Sequence, residues 1–190
     1  MALFGGSFDP IHRGHCFIAE KAIERCQLDE LIFLPCRTSP HKLGVETAPG
    51  EARLEMVRLA IADMERATAS DWELAQEGVS YSWETAEHWR DERLAEEDEL
   101  FWLLGMDQWN ALDRWARIDH LAKLVTFIVF PRHGEVPEAR EGLRATFLPD
   151  AMAVSATDIR TRYRLGESIT NDVGASVAMY IRENGLYQSA

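Results

Sequence analysis

Directly after the apolar residues 1–4, the segment Gly5-Gly6-Ser7-Phe8-Asp9-Pro10-Ile11-His12-Arg13-Gly14-His15 sets glycines, a hydroxyl and two imidazoles within one turn. Glycine has no Cβ, so Gly5 and Gly6 let the backbone take φ > 0 and bring its N–H groups close to an anion. Pro10 fixes the turn, and an apolar stripe of Ile18, Ala19, Ala22, Ile23 and Cys26 at helical spacing predicts a helix beginning at Gly14. The free N–H groups and dipole at that helix N-terminus would face a phosphate. His12 and His15 stand beside it, with unperturbed pKa values near neutral pH. These residue types suit the holding of phosphate oxygens on which charge builds.

The turn does not follow the common nucleotide fingerprints. Gly5-Gly6-Ser7-Phe8 lacks the third glycine of a dinucleotide loop, and no Gly-Lys-Ser or Gly-Lys-Thr closes a P-loop. A second anion motif stands at Val154-Ser155-Ala156-Thr157-Asp158-Ile159-Arg160. A helix starting there offers free N–H groups, the hydroxyls of Ser155 and Thr157 and the Arg160 guanidinium on one turn, a suitable clamp for β- and γ-phosphates. Ser155 and Asp158 also have the spacing of a capping box, so local pattern alone fits a well-capped helix equally. Asp107, just past the apolar run of Leu103-Leu104-Gly105, is placed to accept from ribose hydroxyls. Lys42 ends the loop Pro35-Cys36-Arg37-Thr38-Ser39-Pro40-His41-Lys42 and suits either a phosphate or plain solvent exposure. Gly78-Val79-Ser80-Tyr81-Ser82-Trp83-Glu84-Thr85 reads locally as an N-capped helix with Trp83 in the core.

Something must bring these segments to one edge. Apolar runs at 1–4, 31–34, 100–104 and 125–130 alternate with helical patterns, which predicts βαβ units and a parallel sheet. The runs at 31–34 and 125–130 are almost continuously apolar, as strands covered on both faces should be. Weaker strands are expected near 71–74 and 145–148, and a helix over 51–65, with Leu54, Val57, Ile61 and Met64 on one stripe. From Ser155 onward the pattern is purely helical. The expected fold is α/β: one domain over residues 1–190, an open parallel sheet flanked by helices, with a small C-terminal helical cap. Open parallel sheets bind ligands outside the carboxyl ends of their strands, where the strand order reverses, and the motifs fall on that edge.

The eleven residues 5–15 resemble the signature of the nucleotidylyltransferase superfamily, whose mark is a His-x-Gly-His pair, here His12-Arg13-Gly14-His15. Pro40-His41-Lys42, Ser80-Tyr81-Ser82, Gly105-Met106-Asp107 with Trp115 behind it, the Ser155 motif, and the closing Val177 to Tyr187 stretch resemble its bacterial nicotinate-nucleotide adenylyltransferase branch. The resemblance covers nearly the whole chain. It departs at Ser82, usually Thr, at Ala116, often Tyr, and at Ala156, usually Ser. It implies a Rossmann-like fold and transfer of AMP from ATP to nicotinate mononucleotide, giving deamido-NAD and pyrophosphate in NAD biosynthesis, with Mg²⁺ held mainly by the ATP phosphates. It implies His12 and His15 as catalytic residues. Gly5, Gly6, Ser7, Phe8, His15, Asp107, Ser155, Thr157 and Arg160 would bind ATP. Lys42, Ser82 and Trp115 would bind the mononucleotide, with Trp115 stacked on the pyridine ring and main-chain N–H groups near Ser82 meeting its carboxylate. A metal site built from side chains is not expected. The nearest other readings are an enzyme that takes nicotinate and nicotinamide mononucleotides alike, and a superfamily transferase acting on phosphopantetheine or a cytidylyl acceptor. Trp115 and the 40–42 and 80–82 segments speak against the latter. A non-catalytic nucleotide sensor could lose a histidine or the Ser155 motif, and all are present.

Composition bounds the rest. At 190 residues the chain can remove roughly 70% of its unfolded surface from water. Cys16, Cys26 and Cys36 are odd in number and form no Cys-x-x-Cys pair, which weighs against a disulfide frame or a zinc site and for a reducing, cytoplasmic setting. No apolar run approaches the ~20 residues of a membrane span. A formal net charge of −12 argues against a nucleic-acid partner. ATP needs only a locally positive pocket, and Arg13, Lys42, Arg132 and Arg160 stand near the motifs. The six carboxylates between Asp91 and Glu99 read as a solvated helix end or loop.

Overall fold

The computed structural model describes residues 1–40, 44–131, 138–150, 152 and 154–188. In chain order the elements are β1 (Ala2–Gly6), α1 (Arg13–Arg25), β2 (Leu31–Pro35), α2 (Gly50–Ala60), β3 (Ala67–Ala69), α3 (Trp72–Ala75), α4 (Ser82–Arg93), β4 (Phe101–Gly105), α5 (Met106–Asn110), α6 (Ile118–Leu124), β5 (Thr126–Phe130), β6 (Ala145–Phe147), α7 (Ala156–Arg164), α8 (Thr170–Val173) and α9 (Ala175–Glu183). A 3₁₀ turn over Leu112–Arg114 follows α5.

Among the described residues the strands form one sheet in the order β3-β2-β1-β4-β5-β6, each neighbouring pair parallel. The chain starts in the middle at β1, works outward to β3, and returns past β1 to begin β4. The strand order therefore reverses between β1 and β4, and a crevice opens there outside the strand ends. Alternate side chains of a strand point to opposite faces. Phe4, Leu31, Phe33, Leu103 and Ile128 accordingly pack on one face with Ile11, Ala19, Met56, Val57 and the C-terminal Ile159, Val173, Val177 and Ile181. Leu3, Ile32, Leu34, Trp102, Leu104, Phe127 and Val129 pack on the other with Ala86, Trp89, Trp109, Leu112 and Leu121. Both faces are covered, which is why the strands read as unbroken apolar runs rather than as alternating ones. The C-terminal helices share the apolar layer of α1 and α2.

Two expectations about elements differ from the structure. Residues 71–74 were expected as a strand, but the strand is β3 at Ala67–Ala69, and Trp72–Ala75 is a helical turn. The ladder ends where the Ser70 N–H donates to the Phe33 carbonyl, and the Ser70 hydroxyl then accepts from the Trp72 N–H, bending the chain out of the sheet. The helix expected over 51–65 ends at Ala60, where Ile61 closes it on the Val57 carbonyl. The acidic stretch after Arg93 is an exposed loop beyond α4, as expected.

Candidate active site

Gly5 and Gly6 finish β1 at the reversal of strand order. Their role is space rather than unusual backbone geometry: a Cβ on Gly5 would lie 3.0 Å from Trp102 Cζ2, and one on Gly6 3.0 Å from Phe8 Cζ. The left-handed backbone of the turn falls on Phe8, at φ 47°. That conformation costs a bulky residue of order 1–3 kcal/mol, and burial of the ring offsets it. Phe8 is edge-on to Phe4 at 5.3 Å and to His15 at 5.1 Å, and lies against Phe33 at 5.5 Å.

His12 caps α1 in a reciprocal arrangement. The His15 N–H donates to His12 Nδ1 at 3.3 Å, and the His12 N–H donates to His15 Nδ1 at 3.2 Å. The rings stack at 3.6 Å and 17°. An Nδ1 that accepts a hydrogen bond carries no proton, so each neutral ring bears its proton on Nε2. Burial pushes His12 down to about 4. At neutral pH it is a hydrogen-bond donor and not a cation, a correction to the unperturbed value expected from sequence. Gly14 is required by this pair, because a Cβ there would lie 3.0 Å from His12 Nδ1 and 3.3 Å from Val154 Cβ.

Facing the turn is the start of α7. The Ser155 hydroxyl accepts from the Asp158 N–H at 3.4 Å, one half of a capping box. Arg160 Nη1 donates to the Asp9 carbonyl at 2.6 Å and Nη2 to Thr157 Oγ1 at 3.4 Å, so the second motif is tied to the first. Asp9 is itself buried and receives the Ala48 N–H at 3.0 Å and the Tyr187 hydroxyl at 2.7 Å on Oδ1. Burial next to that carboxylate pushes the Tyr187 phenol upward. Tyr187 reaches Asp9 because Gly185, at φ 62°, ends α9 in a left-handed turn, with the Leu186 N–H on the Ile181 carbonyl. Beneath the turn, Arg53 is 2% exposed and donates to the carbonyls of Ala48, at 2.9 Å, and Ser7, at 2.8 Å.

These parts enclose a cavity of about 630 Å³ lined by Gly5, Gly6, Ser7, Phe8, His12, His15, Ser82, Asp107, Trp115, Ser155, Thr157 and Arg160. It thus gathers every site residue expected from the sequence except Lys42. Lys42 and Arg132 lie outside the described residues, though Ser39, Pro40, Val45 and Thr47 of the same loop line the wall. Arg13 is exposed at the start of α1 and is not among the lining residues. Asp107 enters from the first turn of α5. Trp115 stands edge-on to Trp102 at 6.2 Å and 85°, which links it to Gly5. Ser82 opens α4, a helix whose N-cap, Tyr81, makes no side-chain cap. Trp83 is half-buried, with the Arg117 guanidinium 4.1 Å from its ring centre.

Glu73, which the sequence did not single out, also lines the cavity, at 4% exposure. It accepts from Thr85 Oγ1 at 2.8 Å and from the Ser80 hydroxyl, and burial pushes its carboxyl up to about 7 against those bonds. Arg53, Glu73 and the roles of Asp9 and Tyr187 escaped sequence reading. The one signal was a polar residue at a buried helical position, as Arg53 is beside Leu54 and Val57.

Residues 3–162 match the protein-family model described as cytidylyltransferase-like. A probable nicotinate-nucleotide adenylyltransferase of Clostridium acetobutylicum is 38% identical over 98% of both chains. One of Thermus thermophilus is 39% identical over 99% of both. A solved structure of the Plasmodium falciparum nicotinic acid mononucleotide adenylyltransferase complexed with NaAD has the same fold, with a TM-score of 0.82 at 17% identity over 98% of this chain and 96% of that one.

Proposed function

Because the chain belongs to the cytidylyltransferase-like family, with nicotinate-nucleotide adenylyltransferases as full-length relatives, we propose that it transfers AMP from ATP to nicotinate mononucleotide, giving deamido-NAD and pyrophosphate. The observation that carries this reading is the reciprocal His12–His15 cap opposite Arg160, across a cavity at the reversal of strand order.

An oxygen of the mononucleotide 5′-phosphate attacks the α-phosphorus of ATP in line. The new P–O bond forms as the bond to the bridging oxygen breaks, and the electron pair leaves with pyrophosphate. The nucleophile is already an anion, so no general base is needed, and the protein contributes position and charge stabilisation. His12 and His15 donate Nε2–H to phosphate oxygens as charge builds, while the backbone of Gly5, Gly6, Ser7 and Phe8 lies along the phosphates. Ser155, Thr157 and Arg160 hold the departing pyrophosphate, and Asp107 the ATP ribose. Ser82 and Trp115 frame the pyridine end, with the uncapped first turn of α4 toward its carboxylate, and Lys42 belongs to the same substrate.

Among the described residues no group of three His, Cys, Asp or Glu could hold a metal ion, so Mg²⁺ would ride on phosphate oxygens and water and add to charge neutralisation there. With this reading go the single domain and cytoplasmic setting expected from the sequence. The test is pyrophosphate release with ATP and nicotinate mononucleotide, with nicotinamide mononucleotide and phosphopantetheine in parallel. Turnover with nicotinate mononucleotide is expected to lead. Turnover led by phosphopantetheine, or none with either mononucleotide, would overturn the reading.

A further inference from the structure

A carboxyl group in a cavity wall is an expensive thing to bury, and an apolar side chain would serve a purely structural position at less cost. Among the described residues the side-chain hydrogen-bond partners of Glu73 are hydroxyls. Thr85, 1% exposed on α4, donates to it at 2.8 Å, and Ser80 donates from the segment before α4. Ser80 Oγ in turn accepts the Arg37 N–H at 3.0 Å, and the Ser80 N–H donates to the Thr38 carbonyl at 3.0 Å. Arg37 Nη1 also reaches the carbonyls of Leu74, at 3.3 Å, and Gln76, at 2.8 Å, holding α3 itself. One carboxyl group therefore joins α3, the loop after β2 and the start of α4. Between its two donors in sequence lie Tyr81 and Ser82, both lining the cavity, and α4 has no side-chain cap of its own.

We propose that Glu73 is a positioning residue for the pyridine end of the mononucleotide: gripping Ser80 and Thr85, it fixes the uncapped first turn of α4 in the shape that receives the ring carboxylate. The inference rests on the nicotinate mononucleotide reading above. Its selectivity for one substrate follows from its place. Among the described residues the hydrogen bonds of Glu73 run to Thr85 and Ser80, on the side of the cavity where α4 begins, so the effect should fall on the mononucleotide rather than on ATP.

The test is steady-state kinetics on the full chain for the parent, Glu73→Gln, Thr85→Val and Thr85→Ser, with hydrogen exchange at the amides of residues 82–85 without substrate. Leaving one buried hydrogen-bonding partner of this cluster unsatisfied should raise KM for nicotinate mononucleotide by about 10- to 100-fold in Glu73→Gln and Thr85→Val. KM for ATP and kcat should stay within about threefold, a change under 1 kcal/mol. Exchange at 82–85 should quicken in both variants, and Thr85→Ser, which keeps the hydroxyl, should behave as the parent does. An unchanged mononucleotide KM, or equal losses for both substrates, overturns the proposal. A parent without nicotinate mononucleotide turnover instead overturns the functional reading, and the exchange measurement then still reports whether Glu73 fixes the turn.

Discussion

At the scale of single residues, the stacked histidines define what the site can offer. Each ring gives Nδ1 to the neighbouring backbone, which puts the proton of a neutral ring on Nε2. His15→Ala should lower kcat by about 10²–10³-fold, the usual cost of a lost donor to a charge-building oxygen, while circular dichroism stays that of the parent. A kcat within a few-fold of the parent would remove the catalytic assignment. Two buried groups also act in opposition on stability. His12 falls from 6.5 to about 4 on folding, so the unfolded chain binds a proton that the folded one refuses, and stability is lost as pH drops from 6.5 toward 4. Glu73 rises from 4.5 to about 7, so the folded chain keeps a proton that the unfolded one releases, and stability is lost as pH climbs from 4.5 toward 7. Each effect reaches at most about 3 kcal/mol, and between pH 4.5 and 6.5 they oppose each other. Urea denaturation across that range should show stability rising with pH in Glu73→Gln and falling with pH in His12→Gln. Two curves parallel to the parent would mean that neither group shifts on folding.

At the scale of elements, α1 shows how a helix start doubles as machinery. Gly14 sits in its first turn, where alanine would favour the helix by about 1 kcal/mol but would push a methyl group to 3.0 Å from the His12 ring. Gly14→Ala should therefore lower kcat while the thermal midpoint moves by only a few degrees, measured by calorimetry beside kinetics. A variant with parental kcat would show that the ring can give way. The same helix marks how far the sequence could be read. Although Ser82 and Trp115 followed from the family resemblance, the apolar stripe of α1, the unbroken runs of β2 and β5, the parallel sheet and the order of residues 5–15 all reported through local pattern. Glu73 did not, because its partners Ser80 and Thr85 carry no signature at that distance. Nor did Arg53, whose partners are main-chain carbonyls that every residue possesses. Trp72 and Leu74 alternate as a strand would, and the Ser70 hydrogen bonds, with Arg37 on the Leu74 and Gln76 carbonyls, turn that stretch into a helix.

At the scale of the whole molecule, the cavity depends on contacts between distant parts of the chain. Arg160 meets Asp9 across 151 positions, and Tyr187 meets it across 178. Tyr187→Phe leaves the buried Asp9 carboxylate without one donor, which should cost about 1–3 kcal/mol of stability and raise KM for ATP through the loosened turn that Arg160 holds. A denaturant midpoint and ATP KM equal to those of the parent would make the tyrosine hydroxyl incidental. The Asp9–Tyr187 contact also bears on synthesis. Asp9 is translated 178 positions ahead of Tyr187, so the turn leaves the exit tunnel before the group that fastens it. Until Tyr187 has been added, Asp9 is short of one of its donors, so a chain cut between the two carries the turn without its fastening.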